Sequence, residues 1–233
     1  METTINATMD FALAKEVLTH HGIPQCRFQS FHESQWTADR AEAVAFDLGL
    51  PVFVKPANMG SSIGVSRAHT VSELAYSVDL ALSYDEWIVI EEAVQGREIE
   101  CSVLGNTEVR VSLPGEIVPG DHFYSYADKY HDDAADLIVP ADLPADVVDD
   151  MQRLAAEAFR ALRCEGLARA DFFYEADGRG LLLNELNTMP GFTPISMYPK
   201  LWAASGLPYP QLIDELVELA LERHQRRRRR TDR

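Results

Sequence analysis

Apolar residues along the 233-residue chain recur with two different spacings, and the spacing switches at glycines and prolines. Over residues 9 to 21, Phe11, Leu13, Val17 and Leu18 predict a helix, with Thr8 as its N-cap and Gly22 followed by Pro24 as its stop. Residues 37 to 48 repeat the pattern and end at Gly49 and Pro51. The run from Pro51 to Lys55 reads as a short apolar strand, and a glycine and serine loop separates it from Val65 to Arg67, which predicts a hairpin. Thr70 and Glu73 have capping-box spacing and open a helix to about Ser83. Trp87 to Glu91 and Glu98 to Leu104 then read as strands.

Residues 114 to 136 follow neither period and hold Pro114, Gly115, Pro119, Gly120 and many charges, which predicts a long surface loop. Pro144 at a first helical turn precedes Val147, Met151, Leu154, Ala155, Ala158 and Leu162, a stripe at helical spacing that predicts a core helix. Two strands, 168 to 175 and 181 to 187, an irregular stretch and a last helix from about Pro210 to His224 complete the order. The fold class is α+β, with a division between Leu104 and Leu113 that separates units 9–107 and 108–224. Residues 225–233, with Arg226 to Arg230, read as a disordered, solvated basic tail.

Composition narrows the function. Hydrophobic residues make up 46% of the chain, enough for an ordinary core, and no eighteen apolar residues run together. The start has no basic flank followed by an apolar run, so a cytoplasmic location is expected, with neither secretion nor a membrane span. Cys26, Cys101 and Cys164 form no C-x-x-C pair, and the seven histidines lack metal-binding spacing. A formal net charge of −16 repels nucleic acid from most of the surface. Ser61 and Ser62 lack a G-x-S-x-G frame for a nucleophile.

The sharpest chemical signal is the hairpin at 168 to 187. A five-residue loop from Ala176 to Gly180 sets Glu175 opposite Leu181, Asp171 opposite Glu185 and Arg169 opposite Asn187, all four polar groups on one face. Two carboxylates and an amide oxygen at that separation call for a cation, and hard oxygen donors suit Mg²⁺ or Mn²⁺. The plainer reading is a solvent-facing strand on which Arg169 pairs with Asp171. The irregular segment from Asn187 through Gly191 favours a site. Lys55, at a strand end beside the small residues Gly60 to Gly64, fails Walker A spacing yet suits phosphate. The acids ending the strand at Glu91 can accept from ribose hydroxyls, and exposed strand-end backbone can pair with an adenine edge. In the long loop, Lys129 and Tyr130 could close over phosphates, or form an ordinary polar surface.

These segments, in this order, resemble the D-alanine--D-alanine ligases of the ATP-grasp superfamily, from about Met9 to the last helix and without that family's amino-terminal domain. The resemblance implies an ATP-grasp fold, a small α+β lobe followed by a larger antiparallel-sheet lobe with helices. It implies that Lys55, Gly60, Ser61, Ser62 and Gly64 hold ATP phosphates, Glu91, Glu92 and Val94 the adenine, and Glu98 the ribose, with Lys129 reaching phosphate from the closing loop. Asp171, Glu185 and Asn187 would bind two Mg²⁺ (or Mn²⁺) ions and Arg169 would stabilise developing negative charge. Ser61 and Tyr130 would lie near the first amino acid, and Gly191, Ser196 and Met197 would hold the second. The implied reaction joins small amino acids with ATP through an acyl phosphate, in peptidoglycan biosynthesis, by a homodimer or with a partner supplying the absent domain. One departure stands out: the family's Met-Asp-Lys appears as Met9-Asp10-Phe11, which points to altered substrate choice. The alternative expectation is a non-catalytic ATP-binding subunit.

Overall fold

The computed structural model describes residues 10–37, 39–118, 136–193 and 196–228. Within them the chain builds two antiparallel sheets, each covered by helices. The first sheet has β1 (Phe28–His32), β2 (Val52–Pro56), β3 (Ser66–Ala68) and β4 (Trp87–Glu92) in the order β1-β4-β2-β3. In β2, Val52, Val54 and Pro56 are buried while Phe53 and Lys55 face the other way, the alternation that the pleat requires. The buried row packs under α2 (Arg40–Leu48) and α3 (Val71–Leu82), through Val44, Leu48, Leu74 and Val78.

The second sheet contains β5 (Arg97–Gly105), β6 (Val109–Val111), β7 (Gly115–Val118), β8 (Asp136–Ile138), β9 (Gly166–Glu175) and β10 (Gly180–Asn187), in the order β10-β9-β5-β7-β8 with β6 paired to β5. One face packs against α4 (Ala145–Ala161), where Ile99, Cys101, Val103, Ala168, Ala170 and Phe172 meet Met151, Ala155, Ala158 and Phe159. The short helix α5 (Met197–Ala204) and the long helix α6 (Tyr209–Arg227) cover one end of the opposite face, with Leu104, Tyr198, Trp202 and Leu212 buried together. The rest of that face carries the polar side chains Glu100, Arg169, Asp171, Glu185 and Asn187, with Phe173 and Leu182 paired beside them.

Helix α1 (Phe11–His20) belongs to both lobes. Ala12 packs with Ala57 and Val89 of the first, while Ala14 and Leu18 enter the core of the second. Its N-cap is Asp10, whose Oδ1 accepts from the Leu13 N–H at 3.0 Å, and the expected cap Thr8 lies outside the described residues. Thr70 caps α3 as expected, but the Glu73 carboxylate reaches back one residue further, to the His69 N–H.

Several boundaries differ from the sequence reading. The sheets divide between Glu92 and Arg97, earlier than the 104–113 division, because β5 pairs with β9 along its whole length. Strands β1 and β6 and helix α5 were unassigned in the sequence, and β7, buried at Gly115 to Ile117 and paired to β5, overturns the start of the surface loop expected over 114–136: β1 is stabilised by pairing to β4, and Pro199 in the first turn of α5 masks a helix that can accommodate it there. Helix α6 continues to Arg227 instead of giving way to a disordered tail at 225, since Arg226 and Arg227 ion-pair with Glu165. No helix among the described residues is long and apolar enough to cross a membrane.

Candidate functional site

The β9–β10 hairpin pairs Gly180 with Glu175 and Leu181 with Tyr174, one residue off the expected register, because its loop has four residues rather than five. A bulge between Leu183 and Glu185 then restores the offset, so that Asp171 does face Glu185 and Arg169 does face Asn187. Across β5 the ladder sets Glu100 beside Asp171 and Ser102 beside Arg169. Three carboxylates, Glu100, Asp171 and Glu185, therefore form a row across three strands on the face away from α4.

Arg169 sits in the midst of this row. Its Nε and Nη2 donate to the two oxygens of Asp171 at 2.7 and 2.6 Å, and Nε lies 3.1 Å from Glu100. Burial opposes its charge, but Asp171 and Glu100 hold the guanidinium protonated well beyond its ordinary range. Both sequence readings of this face are thus present at once: the polar groups converge, and Arg169 pairs with Asp171. Among the described residues no three Asp, Glu, His or Cys side chains are grouped as a ready metal cage, and the Asn187 Oδ1 accepts from the Met189 N–H at 3.0 Å. The donor set is nonetheless one of hard oxygens, suited to Mg²⁺ once Arg169 yields an oxygen of Asp171.

The first lobe contributes an opposite charge pattern. Lys55, on the face of β2 turned away from α2 and α3, has its Nζ 2.7 Å from Glu91 Oε2, and the almost fully buried Lys15 of α1 has its Nζ 3.0 Å from Glu91 Oε1. Burial alone would lower the Lys15 pKa, but Glu91 and then the Cys26 thiol, with Sγ 3.7 Å from Nζ, hold it above its ordinary 10.5. Burial would likewise raise the Glu91 pKa, and Lys15 and Lys55 outweigh it. The result is two ammonium groups on one carboxylate, with net charge of one sign. Phe11, standing where the resemblance has a lysine, places its ring 5.7 Å from Lys55 Nζ.

Beyond β2 the loop turns through Ser61 and Ser62, both with positive φ (55° and 59°), and neither hydroxyl has a hydrogen-bond partner among the described residues. Consecutive left-handed residues that are not glycine are strained, and such backbone forms anion-binding concavities. Gly64 is required: its φ is 72°, and a Cβ would lie 2.8 Å from Pro56 and from Tyr84. A Cβ at Gly60 would meet open space.

The remaining candidates separate into groups. Glu92 is taken by Arg27 (3.0 Å) and by Arg179 from the β9–β10 loop, which hold its carboxyl below the usual range against the effect of burial. Its side chain is engaged in joining the lobes rather than open to a nucleotide base. Glu98 and Val94 lie on or just before β5, and Glu98 faces Phe173 across the ladder. A Cβ on Gly191 would come within 2.8 Å of Ser196 Oγ, which also bonds the Thr193 N–H at 3.1 Å, so these two residues do adjoin. The Met197 side chain is buried against Ile117 and Leu201. Lys129 and Tyr130 lie outside the described residues.

Two residues at the site escaped the sequence reading. Glu100 repeats Glu98 at strand spacing, and that alternation was the available signal. Lys15 lies four residues after Phe11 on the buried face of α1, where a lysine is out of place unless paired.

Two antiparallel sheets covered by helices, one lobe carrying the lysines and the other the carboxylate row, form an ATP-grasp fold, and the similar solved structures share that fold. Residues 17–218 match the family described as "D-ala D-ala ligase C-terminus", and the chain belongs to that family. It is 49% identical over 220 residues to the D-alanine--D-alanine ligase of Halothermothrix orenii, covering 93% of this chain and 64% of that protein. Against the Shouchella clausii D-alanine--D-alanine ligase it is 50% identical, covering 94% and 60% respectively. The D-alanine-D-alanine ligase structure from Coxiella burnetii superposes with TM-score 0.85 at 38% identity, over 96% of this chain and 60% of that one. The VanG D-Ala:D-Ser ligase from Enterococcus faecalis gives TM-score 0.81 at 31% identity, over 93% and 63%. The chain thus spans between 60% and 64% of the length of these four relatives.

Proposed function

We propose that this chain is the ATP- and metal-binding part of an ATP-dependent carboxylate–amine ligase that joins two small D-amino acids, working in the cytoplasm in peptidoglycan biosynthesis. The observation that carries the proposal is the row of Glu100, Asp171 and Glu185 with Arg169 at its centre, facing away from the core beside a lobe whose lysines outnumber their carboxylate. In this reading Lys55 and the backbone around Ser61 and Ser62 bind the triphosphate, and Glu98 accepts from the ribose. Two Mg²⁺ ions held by Asp171, Glu185 and Asn187 would neutralise the phosphate oxygens.

The carboxylate oxygen of the first amino acid attacks the γ-phosphorus, ADP departs, and an acyl phosphate results. The amine of the second amino acid attacks the acyl carbon, loses a proton, and phosphate leaves as the amide forms. Arg169, fixed in position by Asp171 and Glu100, stabilises the oxyanion of that second step. Ser61 and Tyr130 adjoin the first substrate, while Gly191, Ser196 and the Met197 main chain position the second. The share of the relatives' length that this chain does not span completes the first pocket, in cis or from a partner, and the assembly is a homodimer.

ADP release measured with Mg²⁺ and a panel of D-amino acids tests the reaction. Turnover in the wild type that disappears in Lys55→Ala is expected; turnover equal in the two would reject the assignment. Calorimetric uptake of Mg-ATP by the chain reports on the nucleotide site independently of catalysis.

A further inference from the structure

A second charged cluster lies away from this site, where the C-terminal end of α6 meets the turn between α4 and β9. A shallow cleft of about 290 Å³ is lined there by Arg160, Arg163 and Arg227 together with Glu165, Asn106 and Thr107. The Glu165 carboxylate already takes three guanidiniums: Arg223 at 2.6 Å, Arg227 at 3.1 Å, and Arg226, which also donates to Thr107 Oγ1. Among the described residues the guanidiniums of Arg160 and Arg163 have no hydrogen bond or ion pair. The other carboxylate at hand, Glu222, accepts from the Asn106 amide. Five arginines thus gather around two acids, in a chain whose net charge is −16.

Pairing with Glu165 and complementing the α6 helix dipole account for Arg223, Arg226 and Arg227. They do not account for Arg160 and Arg163. Helix α4 ends in a Schellman turn, with the Cys164 N–H bonded to the Phe159 carbonyl and the Arg163 N–H to that of Arg160. The position after the cap, which glycine fills without strain, is Arg163, with φ of 54°. Five guanidiniums against two carboxylates leave a local positive surplus, and its two members without a protein partner, Arg160 and Arg163, are exposed at the cleft and open to an anion.

We propose that this cleft is a binding site for a phosphate-type oxyanion, separate from the nucleotide site, with Arg160, Arg163 and Arg227 as its donors. Planar guanidiniums grip tetrahedral oxyanions in paired hydrogen bonds, and several are needed to offset the dehydration of a dianion. The two sources of this chemistry are free inorganic phosphate and the phosphate end of a small ester.

Thermal unfolding at constant ionic strength, with sodium chloride exchanged for sodium phosphate or for glycerol phosphate, tests the site. A saturable rise in Tm is expected for the wild type, and the double variant Arg160→Gln/Arg163→Gly should need about tenfold more ligand or lose the response. Glycine suits the left-handed position, so this variant is expected to fold. Lys55→Ala should keep the response, which separates this cleft from the proposed nucleotide site. A rise with inorganic phosphate alone identifies the free ion as ligand, and a rise with both admits the ester. No rise with either, an unchanged response in the double variant, or loss of the response in Lys55→Ala overturns the proposal.

Discussion

The two halves of the candidate site carry opposite surpluses. In the small lobe, Lys15 and Lys55 share the single carboxylate of Glu91, and in the large lobe Arg169 is the cation among Glu100, Asp171 and Glu185. A triphosphate placed between them would meet positive charge on one side, and on the other a carboxylate row able to hold the cations that travel with it. Neither surplus is comfortable in isolation, because like charges held close in a poorly hydrated site repel. Each lobe tolerates its surplus through a central ion of the opposite sign, Glu91 in one and Arg169 in the other. Glu91 is therefore the structural support of the small-lobe half, while Arg169 both holds the carboxylate row together and, in the proposed reaction, faces the substrate.

This comparison is broken most severely at Glu91. Glu91→Gln leaves two ammonium groups, one of them fully buried, without their anion, and an unfolding free energy lower by about 3 to 5 kcal/mol is expected in urea. The sign follows from the shifts: the Glu91 pKa lies below its ordinary 4.5 in the folded chain, and that of Lys15 lies above 10.5. The stability Glu91 contributes is present above pH 4.5 and is lost as pH falls through its depressed folded value. That of Lys15 is present below pH 10.5 and is lost as pH rises through its raised one. The difference between wild type and Glu91→Gln should shrink as pH falls through the depressed Glu91 value and shrink again on the alkaline side, starting below pH 10.5 because burial lowers the Lys15 pKa once Glu91 is gone; a maximum at either extreme would refute the pairing.

Arg169→Met should cost less, about 2 kcal/mol, since water reaches this cluster more easily. It should also make stability respond to a divalent cation: millimolar Mg²⁺ is expected to raise the urea midpoint more in the variant than in the wild type. An equal response would mean that the carboxylate row does not take metal. Lys55→Ala should destabilise by only about 1 kcal/mol, because Lys15 still pairs with Glu91, yet weaken Mg-ATP binding about tenfold or more in calorimetry. The smallest effect belongs to Arg179→Ala, under about 1 kcal/mol, since its link between Glu175 and Glu92 is partly exposed. Its sharper readout is proteolysis between the lobes, at residues 93–96, which should accelerate.

Much of this molecule was legible along the chain. Apolar spacing located α1 through α4 and strands β2 to β5, β9 and β10, because burial of one face imposes a period that survives in one dimension. The same rule put Arg169, Asp171, Glu185 and Asn187 on a common face, and the family motifs marked Lys55 and the loop beyond it. The exact hairpin register was not legible, since a shorter loop and the bulge at Asn184 offset one another and only the ladder reveals both. Nor was the division of the lobes, because β5 reads alike in either sheet until its partner β9, more than sixty residues later, is known.

Tertiary structure alone decided which charges meet. Lys15, Glu91 and Lys55 come from α1, β4 and β2, and Glu100 reaches Arg169 only because β5 lies beside β9. Periodicity records the side of an element that is buried, and nothing in it records the partner; charge pairing between distant segments depends on distance and dehydration, which exist only after the chain has folded.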